Sequence, residues 1–335
     1  CSPATIYSGL GISTADVPAQ GTPGRTDTGN AQRFAAEHGY SLKYCDARGW
    51  MHFTGTHWVE DSSLEPERRA KDTALKMLRE AADLRDDAER ERAAKWAILS
   101  QSAAKRRAMV DLARSEPGII VDADQFDQHP DLFNCANGTV ELDTGTFREH
   151  RRNDFLTKCS PVIYDPAAQC LRFDAFFERI LPDPEARACV QRWFGYCLTG
   201  SAREQKLLFL WGQGANGKSV LIAVLQFVFG PYATPMGFDV LTAKRAESGP
   251  RPEIARLNGV RVTYAVETRV GQEMDEPMVK TLTGEDRILV RTLYRSPFEM
   301  AMTAKVNILT NFKPALSQDP AIWRRVMLLP FPVTI

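Results

Sequence analysis

One stretch constrains the fold of this chain more than any other. Gly212-Gln213-Gly214-Ala215-Asn216-Gly217-Lys218-Ser219 fits G-x-x-x-x-G-K-[ST] at every defined position. The apolar run Leu207 to Trp211 precedes it and the helical run Val220 to Phe229 follows. Such a segment needs a strand that stops abruptly and a helix whose first N–H groups face an anion, which commits this part of the chain to an α/β fold. Glycine permits positive φ and close approach of backbone to phosphate, Lys218 is expected to reach the β and γ phosphates, and the Ser219 hydroxyl is expected to ligand Mg²⁺. ATP with Mg²⁺ is thus the expected cofactor of residues 212–219. The bland alternative is a glycine-rich strand-to-helix turn with no ligand; chance gives the four defined positions in about one such chain in a hundred.

Two later apolar runs have the same character of buried parallel strands, Val260 to Val266 and Lys305 to Thr310. The first ends on Glu267, a carboxylate suited to orienting the water that attacks the γ-phosphate. The second ends on Asn311, whose amide suits a hydrogen bond to that phosphate or water. Trp323-Arg324-Arg325 then precedes a last apolar run, Val326 to Phe331. An arginine there that reaches a neighbouring subunit's γ-phosphate would act as an arginine finger, and Arg325, nearer the strand, is preferred to Arg324. Taken singly, a Glu at a strand end, an Asn close to Pro314 and a surface Arg pair are each ordinary.

Upstream, residues 1–27 are rich in Gly, Pro, Ser and Thr without periodicity and read as a linker. Residues 28–165 read as a mixed α+β domain: a helix near Asn30 to His38, strand-like runs at Ser41 to Cys45, Trp50 to Thr54 and Trp58 to Glu60, and a charged stretch from Leu64 to Arg107 with helical spacing that suggests one or two amphipathic helices. Ile119 to Val121 and Val140 to Phe147 read as strands, the second interrupted by Asp143-Thr144-Gly145. Residues 166–205 read as a helical lead (Phe173 to Ile180, Glu185 to Leu198) into a motor spanning 206–335.

Charge is balanced at 42 basic and 42 acidic residues, which disfavours a protein that coats nucleic acid over its whole surface. From Lys206 onward there are 16 basic and 11 acidic residues, so that part carries +5 and the rest −5. Seven cysteines show no Cys-x-x-Cys pair and read as reduced structural thiols. No apolar run is long enough for a membrane helix and no basic-then-apolar leader opens the chain, so a cytoplasmic location and no membrane partner are expected.

The order of parts (phosphate loop, strand ending on Glu267, Lys280-Thr-Leu-Thr-Gly284, strand ending on Asn311, Arg324-Arg325) resembles that of superfamily III helicases of the AAA+ class, most closely the helicase half of phage and plasmid primase-helicases related to the poxvirus primase-helicase. Thr26-Asp-Thr-Gly-Asn-Ala-Gln-Arg-Phe34, Asn137-Gly-Thr-Val-Glu-Leu-Asp-Thr-Gly145 and Leu198-Thr-Gly-Ser-Ala-Arg-Glu-Gln-Lys206 are similar to the segment that precedes the motor in that family. The resemblance implies an AAA+ P-loop motor with a parallel central sheet, behind a mixed α+β and helical domain. It also implies a ring, expected to be a hexamer, that translocates 3′ to 5′ on single-stranded DNA, opens forked duplex DNA and works with a primase domain or protein. Glu267 would be the hydrolytic acid, Asn311 the sensor and an arginine at 324 or 325 the finger. A hairpin before the sensor strand would grip DNA: Ile288 to Leu293 and Phe298 to Ala304 suit its arms, with Arg291 and Arg295 on phosphates, Tyr294 on a base, and Lys280 a further basic candidate. One departure stands out: the acidic pair that often closes the second strand is here Val266-Glu267, which leaves Mg²⁺ to Ser219, phosphates and water. Two rivals share the loop, a nucleotide-switched protein that melts or loads origins without processive unwinding and a small-molecule phosphotransferase.

Overall fold

The computed structural model describes residues 23–242, 252–267, 273–291, 296–313 and 316–335, which fall into two compact units. One unit holds the described residues up to Tyr44 together with Trp50–His52 and Asp61–Val121. The other holds Cys45–Gly49, Phe53–Glu60 and Asp122–Ile335.

Helices dominate the first unit. Helix α1 (Asp27–His38) starts where the Thr26 hydroxyl accepts the Gly29 N–H at 3.0 Å. The strands β1 (Leu42–Cys45), β2 (Gly49–Phe53) and β3 (Trp58–Glu60) follow, where the chain passes between units. The charged stretch forms three helices rather than one or two: α2 (Glu65–Ala82), α3 (Asp87–Ser100) and α4 (Ala103–Ala113). Two N-caps make the breaks, the Asp86 carboxylate on the Glu89 N–H and the Ser102 hydroxyl on the Lys105 N–H. Ala31, Phe34, Ala70, Met109 and Ala113 pack as the core of this unit. Ile120 makes one isolated parallel bridge to Tyr44, so the strand expected at Ile119 to Val121 is reduced to that bridge.

The second unit opens with an antiparallel meander, β4 (Leu132–Cys135), β5 (Gly138–Glu141) and β6 (Thr146–Arg148). Asp143–Gly145 turns the chain between β5 and β6, dividing the run that reads as one strand. Then come α5 (Leu171–Ile180), α6 (Pro184–Leu198), β7 (Leu207–Trp211), α7 (Lys218–Phe229), β8 (Ala233–Pro235), the short α8 (Pro252–Ala255), β9 (Val262–Val266) and α9 (Glu276–Thr283). The chain ends through the hairpin β10 (Arg287–Val290) and β11 (Phe298–Ala301), then β12 (Lys305–Thr310), α10 (Pro320–Trp323) and β13 (Val326–Pro330).

Five of these strands form one parallel sheet in the order β13-β7-β12-β9-β8. Both of its faces are covered, which is why its strands read as near-continuous apolar runs. Leu207, Phe209, Val306 and Ile308 pack on one side with Val279 and Leu282 of α9, Met300 of β11 and Ile322 of α10. Leu208, Leu210 and Leu309 pack on the other with Trp193 and Cys197 of α6 and Leu221 and Phe229 of α7. Phe133, Cys135 and Val140 of the meander join that second core. Among the described residues no helix is long and apolar enough to cross a membrane, and the six described cysteines are free.

Candidate functional site at the carboxyl edge of the parallel sheet

Because the five strands are parallel, their carboxyl ends share one edge of the sheet, the edge where α/β folds place ligands. The chain inserts β12 between β7 and β9, so the residues after β12 lie between the phosphate loop and the end of β9. Loop residues 214–219, Glu267 and Leu309–Asn311 line a cleft of ≈ 390 Å³ at this edge. Residues distant in sequence are brought together by strand order alone.

The loop leaves β7 with the Gly212 N–H still donating to the Thr310 carbonyl of β12 at 3.1 Å. A Cβ on Gly212 would lie 2.5 Å from both the Asn216 Nδ2 and the Phe331 carbonyl oxygen, so only glycine fits there. Gly217, at φ +81°, adopts the left-handed conformation immediately before α7, and a Cβ on it would lie 2.5 Å from Ile180 Cγ2. Gly214 differs, since a Cβ there meets no atom within 4 Å. Gly214, Ala215 and Ser219 are exposed at the cleft and Gln213 is exposed beside it, whereas Asn216 and Lys218 are buried. The Lys218 ammonium donates to the Gly212 carbonyl and, at 3.0 Å, to Asn216 Oδ1. Burial holds its pKa below the usual lysine range.

Glu267 stands one residue beyond β9, with its N–H on the Leu309 carbonyl at 2.9 Å. Its carboxylate is buried and accepts a hydrogen bond from the Thr310 hydroxyl. Burial raises the Glu267 pKa, and the Thr310 hydrogen bond works against that rise. Asn311 is exposed at the end of β12 on the same cleft. Among the described residues no group of three His, Cys, Asp or Glu side chains is placed to hold a metal ion, and the side-chain oxygens lining this cleft come from Asn216, Ser219, Glu267, Thr310 and Asn311.

The arginine pair lies elsewhere. Arg324 and Arg325 precede β13, whose first residue pairs with Leu207, so they sit at the amino edge of the sheet. Five strand residues separate that edge from the loop, roughly 17 Å. Arg325, preferred from the sequence as the finger, has a buried side chain, with Nε donating to the Thr283 hydroxyl at 3.1 Å and Nη1 to the Ala321 carbonyl at 3.3 Å. Arg324, which closes α10, is the exposed member of the pair.

The hairpin is present as β10 and β11, in register Arg287↔Ala301 to Val290↔Phe298. Arg291 follows β10 directly and is exposed. Tyr294 and Arg295 lie outside the described residues. Lys280, in the last turn of α9, is ion-paired with Asp319 at 2.8 Å. One residue lining the cleft was not singled out in the sequence: Thr310, whose only signal is its place just before Asn311.

Comparison with known proteins agrees with this architecture. Residues 31–182 match the family described as D5 N terminal like. The chain is 31% identical over 212 residues to a putative helicase of Acanthamoeba polyphaga mimivirus, covering 62% of this chain and 22% of that protein. It is 31% identical over 166 residues to a putative helicase of Frog virus 3, covering 48% and 17%. A putative primase of African swine fever virus is 25% identical over 213 residues, covering 60% and 22%. The chain thus spans about a fifth of the length of these curated relatives. Among solved structures, the apo structure of the NrS-1 C terminal region shares the fold, with a TM-score of 0.50 at 9% identity over 90% of this chain and 61% of that one.

Proposed function

We propose that the chain is the ATP-driven motor of a replicative DNA helicase of the AAA+ class, a reading supported by its match to the D5 N terminal like family and its similarity to putative viral helicases and primases. The observation that carries this reading is the convergence of loop residues 214–219, Glu267 and Asn311 on one cleft. In this reading the backbone N–H groups of the loop and the start of α7 cradle the phosphates of ATP, and Lys218 leaves the Gly212 carbonyl to meet them. Mg²⁺ supplies charge neutralisation at the phosphates when bound, with the Ser219 hydroxyl as its protein ligand. Glu267 orients and deprotonates the attacking water, and Asn311 hydrogen-bonds the γ-phosphate or that water.

The amino-edge position of Arg324 supports a finger acting on a neighbour's nucleotide, because Arg324 is far from the cleft of its own subunit. Head-to-tail repetition of such a contact closes a ring, and a hexamer is the form we favour. DNA would pass through the ring in the 3′ to 5′ direction, held at the β10–β11 hairpin by Arg291, Arg295 and Tyr294. A primase domain or protein is the expected partner, and single-stranded and forked duplex DNA the substrates. Lys218→Ala tests the nucleotide site: hydrolysis is expected to vanish because the cation nearest the β and γ phosphates is gone. Turnover equal to wild type would refute the assignment.

A further inference from the structure

The five residues after the last strand lie along the phosphate loop. The Phe331 N–H donates to the Trp211 carbonyl at 2.6 Å, extending the pairing of β13 with β7 one step past the sheet. The Phe331 side chain is buried, and its carbonyl accepts from Asn216 Nδ2 at 3.5 Å. Phe331 also occupies the space that a side chain on Gly212 would need. Farther on, the Ile335 N–H donates to the Ala215 carbonyl at 2.7 Å.

Those contacts fall on the two loop positions that most need support. Ala215 is a non-glycine residue at φ +56°, a left-handed conformation that persists only where the surroundings hold it. Asn216 is buried, and its two ends do different work: Nδ2 reaches the Gln213 and Phe331 carbonyls while Oδ1 accepts from Lys218. A line of contacts therefore runs from Phe331 through Asn216 to the ammonium of Lys218, and a second runs from Ile335 to Ala215. Phe331 and Ile335 themselves do not line the cleft, so the segment acts through the loop rather than on the ligand.

We propose that residues 331–335 form a brace that holds the phosphate loop in its nucleotide-accepting shape, making Phe331 and Ile335 positioning residues for nucleotide binding. The proposal rests on the reading of residues 212–219 as a nucleotide site. Its consequence is that nucleotide affinity depends on how the chain is held after β13, a segment outside the phosphate-loop motif.

The test is titration of a fluorescent ATP analogue with Mg²⁺ into wild type, Lys218→Ala, Ile335→Pro and Ile335→Ala, with thermal unfolding of each. Proline at 335 removes the N–H that Ala215 accepts, and Kd should rise about three- to tenfold, the range of one net hydrogen bond. The unfolding midpoint should stay at its wild-type value. Ile335→Ala retains the N–H and should restore tight binding. In an Ala215→Gly background the effect of Ile335→Pro should shrink, because glycine adopts the left-handed conformation unaided. The brace is overturned if Ile335→Pro binds the analogue like wild type, or if its defect is as large with Ala215→Gly as without. Failure of the nucleotide reading looks different: wild type would not bind, or Lys218→Ala would bind equally well.

Discussion

Glu267 and Thr310 illustrate how two side chains with ordinary identities become a site. Burial pushes the Glu267 pKa up, which disfavours the ionised form a base requires, and the Thr310 hydroxyl offsets this by donating to the carboxylate. Replacing Thr310 with Val removes the donor at nearly constant shape. The acidic limb of the kcat–pH profile should then move to higher pH, because a carboxylate with a raised pKa stays protonated further up the scale. An unmoved limb would mean that Glu267 does not titrate in the hydrolytic step. Glu267→Gln should still bind ATP and turn it over at least about a hundredfold more slowly, the low end of what a positioned base contributes. Loss of binding without a separate hydrolysis defect would make Glu267 a structural residue. At this scale the strand–loop–helix shape around residues 212–219 was legible in the sequence, since Gly212 and Gly217 stand where the backbone leaves room only for glycine. The inward turn of Arg325 was not legible, because it depends on Thr283 and Ala321, contacts made only by folding.

Helix α6 is fixed to the middle strand by a buried polar contact, in which Trp193 Nε1 donates to Asn307 Oδ1 at 2.8 Å while Asn307 Nδ2 donates to the carbonyls of Thr263 and Lys305. Trp193→Phe keeps much of the apolar volume and leaves that Oδ1 buried without its donor. The expected loss of stability is about 1 to 3 kcal/mol, measurable by urea unfolding. A change near zero would mean the amide finds another partner. For the β10–β11 hairpin, Arg291→Ala should weaken single-stranded DNA binding for all sequences alike and make its salt dependence shallower, as loss of one phosphate contact does. Basal ATPase should survive, and DNA binding equal to wild type would move the grip elsewhere. Buried strands such as β7 and β12 were read from their apolar runs to the residue, because a doubly covered parallel sheet makes each strand a near-continuous apolar run too short for a helix. Strands β4 and β8 were missed, being short and without a distinctive pattern, and the breaks between α2, α3 and α4 escaped because they rest on single capping side chains.

Across the whole molecule, one topological fact organises the proposed chemistry. Placing β12 between β7 and β9 gathers the loop, Glu267 and Asn311 at the carboxyl edge, while the start of β13 carries Arg324 to the opposite edge. On the proposed reading such a subunit would have an ATP site that lacks its finger and a finger that lacks a site, so hydrolysis would require assembly. Its ATPase should rise steeply with protein concentration and rise again with single-stranded DNA, and Arg324→Ala should lose hydrolysis while retaining nucleotide binding. A small-molecule phosphotransferase would show neither dependence. The most direct measurement is strand displacement from a forked DNA duplex with ATP and Mg²⁺, at protein concentrations where the ATPase has saturated. Displacement is expected from wild type and none from Lys218→Ala or Glu267→Gln. Wild-type protein that hydrolyses ATP in response to single-stranded DNA yet separates no strands would contradict the helicase reading.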